Sequence, residues 1–369
     1  KQAGNRSSAT PCTTSSRLTD MKEIAAKVIA GVRISGEEFL RLAATSKLPH
    51  LGMLADTVRR RLHPDPVVTY VIDRNINYTD ICISACKFCA FFKAPDDPSG
   101  TVLSRQALEE KILETKALGG TQILLQGGLH PDLPFSWYED MLRFMKGLDI
   151  HIHGFSPPEI CHFVEQSGQT VREVLERLID AGLDSMPGGG AEILSDRVRQ
   201  RLAPRKCSAD QWIAVMEEAH NLGMRTTATM MFGHIETMEE RLEHLQRLRD
   251  LQDRTGGFTA FIPWPFQPDN TVLAGIEKTT AMGYLRMLAL SRLYLDNFAN
   301  IQASWVTQGP KIAQLSLFFG ANDFGSTMIE ENVVAAAGVS FRLTENEICR
   351  LVADAGFTPR QRRMDYSLL

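Results

Sequence analysis

The chain has 369 residues, 44% of them hydrophobic and 23% charged, which is ordinary globular composition and enough length for one large domain or two small ones. A net charge of −4 leaves no basic stripe, so neither nucleic acid nor an anionic membrane surface is expected as a partner. No apolar run approaches the roughly 18 residues of a spanning helix, and seven cysteines are too few for a disulfide scaffold, so a soluble protein of the reducing cytoplasm is expected.

Residues 1–18 are rich in Ser and Thr and contain no acidic residue, the composition of a disordered tail. Over 19–66 apolar residues recur at helical spacing (Ile24, Ala25, Val28, Ile29, then Phe39, Leu40, Leu54, Val58), which predicts a helical extension. Beyond Pro66 strand-like and helix-like segments alternate. Strands are expected at 67–75, 122–126, 150–155, 183–186, 225–232, 258–264, 301–305 and 314–319. Helices are expected at 105–118, 135–146, 171–181, 195–202, 208–222, 236–252 and 281–297, with glycines at several exits (Gly119, Gly120, Gly182, Gly223) where a left-handed cap is easily adopted. Repeated strand and helix over about 250 residues is the pattern of a parallel (β/α)8 barrel of TIM type. Helices at 329–337 and 344–355 would pack at its end, the second opening on a Thr344/Glu347 capping box. One catalytic unit is read over 67–369.

Cys82, Cys86 and Cys89 form Cys-x-x-x-Cys-x-x-Cys directly after the first strand, with Phe88 before the last cysteine. Three thiolates on one short loop can hold three irons of a 4Fe-4S cube and leave the fourth open to a small molecule. A zinc site would need a fourth Cys or His at finger or ribbon spacing, which His130 and the His151/His153 pair do not supply. Cys12, Cys161, Cys207 and Cys349 are scattered and read as buried or incidental thiols.

This spacing, with its aromatic residue, resembles the radical S-adenosylmethionine enzymes. The resemblance implies one 4Fe-4S cluster whose open iron is chelated by the amine and carboxylate of S-adenosyl-L-methionine. Cleavage of that cofactor then yields a 5'-deoxyadenosyl radical that takes hydrogen from unactivated carbon. It also implies a small-molecule substrate and a flavodoxin- or ferredoxin-type electron donor. A finer resemblance is carried by residues 261–271, 320–332, 74–79 and 226–234, which are similar to the futalosine-pathway menaquinone enzymes and their deazaflavin-synthesis relatives. Trp264 with Gln267, and Phe324-Gly325-Ser326, look most like the branch that cyclises a nucleoside-derived substrate, dehypoxanthine futalosine. Aminofutalosine synthase and the deazaflavin-forming enzyme are the alternatives within the group, and an iron–sulfur electron carrier is the alternative outside it.

In a parallel barrel the chemistry sits where strands end. Gln126-Gly127-Gly128 follows the second strand, where the related enzymes have a Gly-Gly-Glu element on the methionine amine; here Leu129 stands in the acidic place. Glycine there would let backbone approach the cofactor, and an ordinary turn is the plainer reading. Ser156 follows the third strand. Glu192 follows the fourth, after the triplet Gly188-Gly189-Gly190, and is either a cofactor contact or a solvated carboxylate near a helix start. His151 and His153 read as barrel-layer histidines rather than metal ligands, and Thr227 and Thr229 share the face that lines the interior. His234, Asp323, Asn322 and Gln267 are expected at the rim. Glu192, His234 and Asp323 are candidate bases for the proton lost on cyclisation, and Arg74 or Arg205 a candidate partner for a substrate carboxylate.

Overall fold

The computed structural model describes residues 14–369, with side chains from Met21 onward. The expected tail lies outside the described residues up to position 13, and a helix, Thr14–Ala30, already occupies the positions that follow.

Among the described residues there are ten strands: β1 (Val67–Val71), β2 (Asp73–Asn77), β3 (Gln122–Gln126), β4 (His151–Gly154), β5 (Ser185–Met186), β6 (Arg225–Phe232), β7 (Phe258–Pro265), β8 (Asn300–Ile301), β9 (Asp323–Ser326) and β10 (Thr358–Gln361). Strands β2 to β8 lie in chain order as one curled parallel sheet, and β1 stands between β9 and β10 in a second. β1 and β2 are one strand interrupted at Ile72, and a parallel bridge between Gln302 and Asp323 links the end of β8 to β9. With β1 and β2 taken together and β10 as an addition to β1, the strands surround an axis as a (β/α)8 barrel.

Strand β6 shows why these residues form a barrel wall. Ala228 and Met230 are fully buried, while Thr227 and Thr229, which alternate with them, are partly open and line the interior. The period of two places apolar groups under the helices and hydroxyls inside. The helix Val171–Ala181 shows the complementary period: Val174, Leu175, Leu178 and Ala181 are its buried residues. It opens on a reciprocal Thr170/Glu173 capping box and stops at Gly182, whose φ of 116° belongs to the left-handed region. Such a cap contributes about 1 kcal/mol, whereas truncating buried Leu178 to Ala would cost about 2–5 kcal/mol. Packing, not capping, holds the helix.

Three expectations change. Residues 314–319 belong to a helix, Pro310–Ser316, and its end rather than to a strand, and the eighth strand is β9. Pro310 at the first helical position after Gly309 starts that turn, and an apolar run this short does not distinguish strand from helix. The seventh strand shortens to β8, followed by a short helix, Trp305–Gln308. The helix expected over 329–337 is confined to Val333–Ala336. A helix not expected, Pro157–Ser167, begins directly after β4, its two prolines seated in the first turn where no donor is lost.

Candidate active site

The cysteine loop leaves β2 and is pinned on several sides by backbone bonds. Cys82 N–H donates to the Lys93 carbonyl (2.9 Å), Ile83 N–H to Leu129 (3.0 Å) and Lys87 N–H to Leu202 (2.9 Å). Ala85, between the first two cysteines, adopts φ 46°, a left-handed conformation that a non-glycine residue rarely holds unless its surroundings impose it. Two sulfurs have polar neighbours: Leu129 N–H donates to Cys82 Sγ at 3.3 Å, and Ser84 Oγ lies 3.2 Å from Cys86 Sγ, where either atom can donate. Burial pushes the Cys86 thiol up to about 11, against the nearby Lys206 charge.

Gly127 and Gly128 are glycines for a reason different from the one expected. A Cβ on Gly127 would lie 2.4 Å from the Tyr78 ring, and one on Gly128 would lie 2.1 Å from the Ile81 carbonyl oxygen and 2.9 Å from Cys82 Cβ. The crowding comes from the protein itself, so this turn is pressed against the root of the cysteine loop. Glu159, in the first turn of the helix that follows β4, organises the same corner. Its carboxyl accepts from Tyr78 Oη (2.7 Å), Ser156 Oγ (2.5 Å) and Gly127 N–H (3.2 Å), and burial raises it to about 7 despite those bonds.

Glu192 is no solvated carboxylate. It is 8% exposed, sits at φ 40°, and pairs with Lys206 Nζ at 3.0 Å and Arg199 at 3.6 Å. Arg199 is itself tied to the carbonyls of Gly190, Ala191 and Cys207, so the pair is anchored to the glycine loop. Lys206 lies 5.1 Å over the Phe88 ring. Burial alone would lower its ammonium, but the charges of Cys86 and Glu192 raise it. A fixed cation therefore stands beside the cysteine loop, linked to it through Phe88; nothing in the spacing of the sequence announced Lys206.

A cavity of about 280 Å³ runs through the barrel. Gln126, Gly189, Gly190 and Glu192 line it near the cysteine loop, Thr227, Thr229, Ile262 and Trp264 on the β6 and β7 wall, and Asp73, Gln122, His153, Arg362 and Tyr366 toward the strand starts. Gly189 is constrained here: a Cβ would come within 2.3 Å of Gln126 Nε2. Asn75 Oδ1, Gln122 Oε1 and Tyr366 Oη are buried with no partner among the described residues, which leaves acceptors for a donor-bearing ligand.

The other expected residues are placed elsewhere. His234 has both ring nitrogens engaged, Nδ1 with Glu236 (2.8 Å) and Nε2 with the Met231 carbonyl (3.0 Å). Asp323 is fully buried and held by Arg362 and Thr69. Asn322 is bonded to Arg292 and Asn300, and Gln267 to the Pro265 carbonyl. None of these four lines the cavity. Arg74 pairs with Glu114 and Arg205 with the Ile83 carbonyl, and the arginine on the cavity wall is Arg362.

Residues 76–248 match the model of the radical SAM superfamily, and residues 255–369 match that of the CofH/MqnC C-terminal region. The cyclic dehypoxanthine futalosine synthase of Halalkalibacterium halodurans is 47% identical over 93% of this chain and 93% of its own. The chain belongs to the radical SAM superfamily. A 5-amino-6-(D-ribitylamino)uracil–L-tyrosine 4-hydroxyphenyl transferase of Methanopyrus kandleri is 44% identical, covering 90% of this chain and 96% of the relative. The FeFe-hydrogenase maturase HydG of Carboxydothermus hydrogenoformans superposes with a TM-score of 0.76 at 18% identity, covering 95% and 82% of the two chains, a likeness of fold.

The superfamily's cofactors, a 4Fe-4S cluster and S-adenosylmethionine, are therefore those of this radical SAM enzyme, and the residues present suit them. Among the described residues no three of Cys, His, Asp and Glu converge on one ion-sized point, so the fit rests on the donor set. Three thiols share one pinned loop, an amide and a hydroxyl group reach two of the sulfurs, and the Lys206 ammonium offsets thiolate charge. Ligation by iron requires the thiolates and so opposes the upward push of burial. Gln126, the glycine loop and Glu192 offer polar contacts to a nucleoside cofactor on the adjoining wall.

Proposed function

We propose that this radical SAM enzyme converts dehypoxanthine futalosine to its cyclic product by forming a carbon–carbon bond within the substrate, a step of menaquinone synthesis. The 47% identity with a relative named for that product, spread over 93% of both chains, carries the reading. Cluster and S-adenosylmethionine together supply a primary carbon radical that removes hydrogen from the substrate ribose. The chain's own residues bind, orient and shield. Phe88, Gln126, Gly127, Gly128, Ser156 and Glu192 surround the cofactor end, with Cys82, Cys86 and Cys89 as the iron ligands. The unpartnered oxygens of Asn75 and Gln122 accept substrate hydroxyls, and Trp264 with Ile262 forms the apolar wall for an aromatic ring. A carbon radical reacts with what lies nearest, so exclusion of water and a fixed pose decide the product.

An electron donor of flavodoxin or ferredoxin type and a cytoplasmic setting complete this reading. A second reading, transfer of a hydroxyphenyl group from tyrosine, is kept by the 44% identity with the transferase. Anaerobic turnover separates them. Dehypoxanthine futalosine deuterated at the ribose C4' should give cyclic product and labelled 5'-deoxyadenosine in about equal amounts. Turnover of tyrosine with a ribitylaminouracil, and none of the futalosine, would replace the first reading by the second.

A further inference from the structure

His151 and His153 lie on one face of β4, and Ser185 of β5 stands between them. His153 Nδ1 and His151 Nε2 each lie 2.8 Å from the same Ser185 Oγ. The two histidines differ in surroundings. His153 is 6% exposed and lines the cavity, with Nε2 free of any hydrogen bond among the described residues. His151 is partly open, near the carboxylates of Asp184 and Asp365 and the ammonium of Lys146. One hydroxyl thus joins a ring on the cavity wall to a partly exposed ring at the start of β4.

We propose that His153, Ser185 and His151 form a proton relay that carries the proton released on ring closure out of the cavity. The proposal rests on the cyclase reading. Hydrogen leaves the ribose as an atom; the new bond joins the ribose carbon to an aromatic carbon, and the cyclised radical must then lose the hydrogen of that carbon. The electron would pass to a one-electron acceptor, the oxidised iron–sulfur centre, and the proton must go to a base on the cavity wall.

His153 Nε2 takes that proton. Nδ1–H then passes its own to Ser185 Oγ, whose hydroxyl hydrogen moves to His151 Nε2, and His151 releases a proton outside. The arrangement suits this because a serine hydroxyl donates one hydrogen and accepts another. Burial holds His153 down to about 3, with His151 and Arg362 adding to the effect, and burial lowers His151 as well, opposed by Asp184. Both rings are therefore neutral near pH 7, each with one acceptor nitrogen. A ring that holds charge so poorly is suited to passing a proton on rather than storing it. Glu192, which among the bases expected from the sequence is the one on the cavity wall, is already paired with Lys206 and Arg199.

The test compares wild type with Ser185→Ala, His153→Gln and His151→Gln, reconstituted anaerobically, matched in iron content and melting temperature, with dehypoxanthine futalosine as substrate. Product and 5'-deoxyadenosine are measured in H2O and D2O. Wild type should give a ratio of 5'-deoxyadenosine to product of about one. Ser185→Ala and His153→Gln should raise it to ten or more through loss of product kcat with little change in KM, and His151→Gln should raise it less. A solvent isotope effect on product formation should grow in Ser185→Ala. Histidines that only pack would leave the ratio and isotope effect alone. If Ser185→Ala and His153→Gln both keep a ratio near one, the relay is wrong. Wild type that forms no cyclic product overturns the cyclase reading instead.

Discussion

The Arg362 guanidinium meets the Asp323 carboxylate through two bonds, Nε to Oδ2 at 2.5 Å and Nη2 to Oδ1 at 3.1 Å, with both side chains buried. The pair joins the end of β10 to β9 at the foot of the barrel, and Arg362 also stacks on Tyr366 at 4.0 Å. Removing one partner strands a charge in a dry setting, which costs far more than the pair contributes against an apolar replacement. Asp323→Ala should destabilise the protein by about 3–5 kcal/mol in denaturant titration. The double variant Asp323→Leu/Arg362→Met should lose less than either single change. A double-variant loss equal to the sum of the two single losses would mean that the charges are not coupled.

Replacing Cys82, Cys86 or Cys89 with Ala should abolish turnover and the cluster absorbance, while Cys161→Ala and Cys349→Ala should retain both. Iron and sulfide analysis should find about four of each per chain. About one zinc and no sulfide would point to a structural metal instead.

Gly127→Val and Gly128→Val should reduce iron incorporation, not only cofactor affinity. The added carbon meets Tyr78 in the first case and the Ile81 carbonyl beside Cys82 in the second, so the cysteine loop has to shift. Iron content per folded chain is the measurement. A Gly128→Val protein with full iron and weakened S-adenosylmethionine binding would show that the turn serves the cofactor alone.

Acid stability has a local source in Glu236. Burial would raise its carboxyl, but the bond from His234 and the charge of Arg241 hold it down to about 2, below the ordinary 4.5. A carboxylate depressed in the folded state stabilises above its unfolded pKa and loses that contribution as pH falls through the folded value. Wild type should lose stability between about pH 5 and 2 more steeply than Glu236→Gln, which should be less stable at neutral pH. Parallel stability curves for the two proteins over that range would remove Glu236 from the account.

Much of the wall was legible because period and caps agreed. β6 alternates from Arg225 to Met230, and Thr344 with Glu347 marks a helix start that the structure keeps. Residues 314–319 were not, since a short apolar run satisfies either period. The cysteine loop announced itself by spacing. Lys206, Glu159 and Arg362 did not, because each acts through a partner distant in sequence: Lys206 on Glu192, Glu159 on Tyr78, Arg362 on Asp323. The rim expected for His234 and Asp323 failed for a related reason. A polar residue at a strand end can be consumed by its neighbours, and only the bonding pattern reveals it.

β1 pairs with β10 from Val67 to Tyr70 against Thr358 to Gln361. A ribosome has therefore made almost the whole barrel before β10, the second of the two partners of β1, exists. Until then β1 has an unsatisfied edge, the kind that recruits other chains, and the pairing that closes it spans nearly the full sequence, which slows its formation. Folding of this enzyme should finish only once β10 has been made, with nascent chains halted before β10 being the ones that need a chaperone.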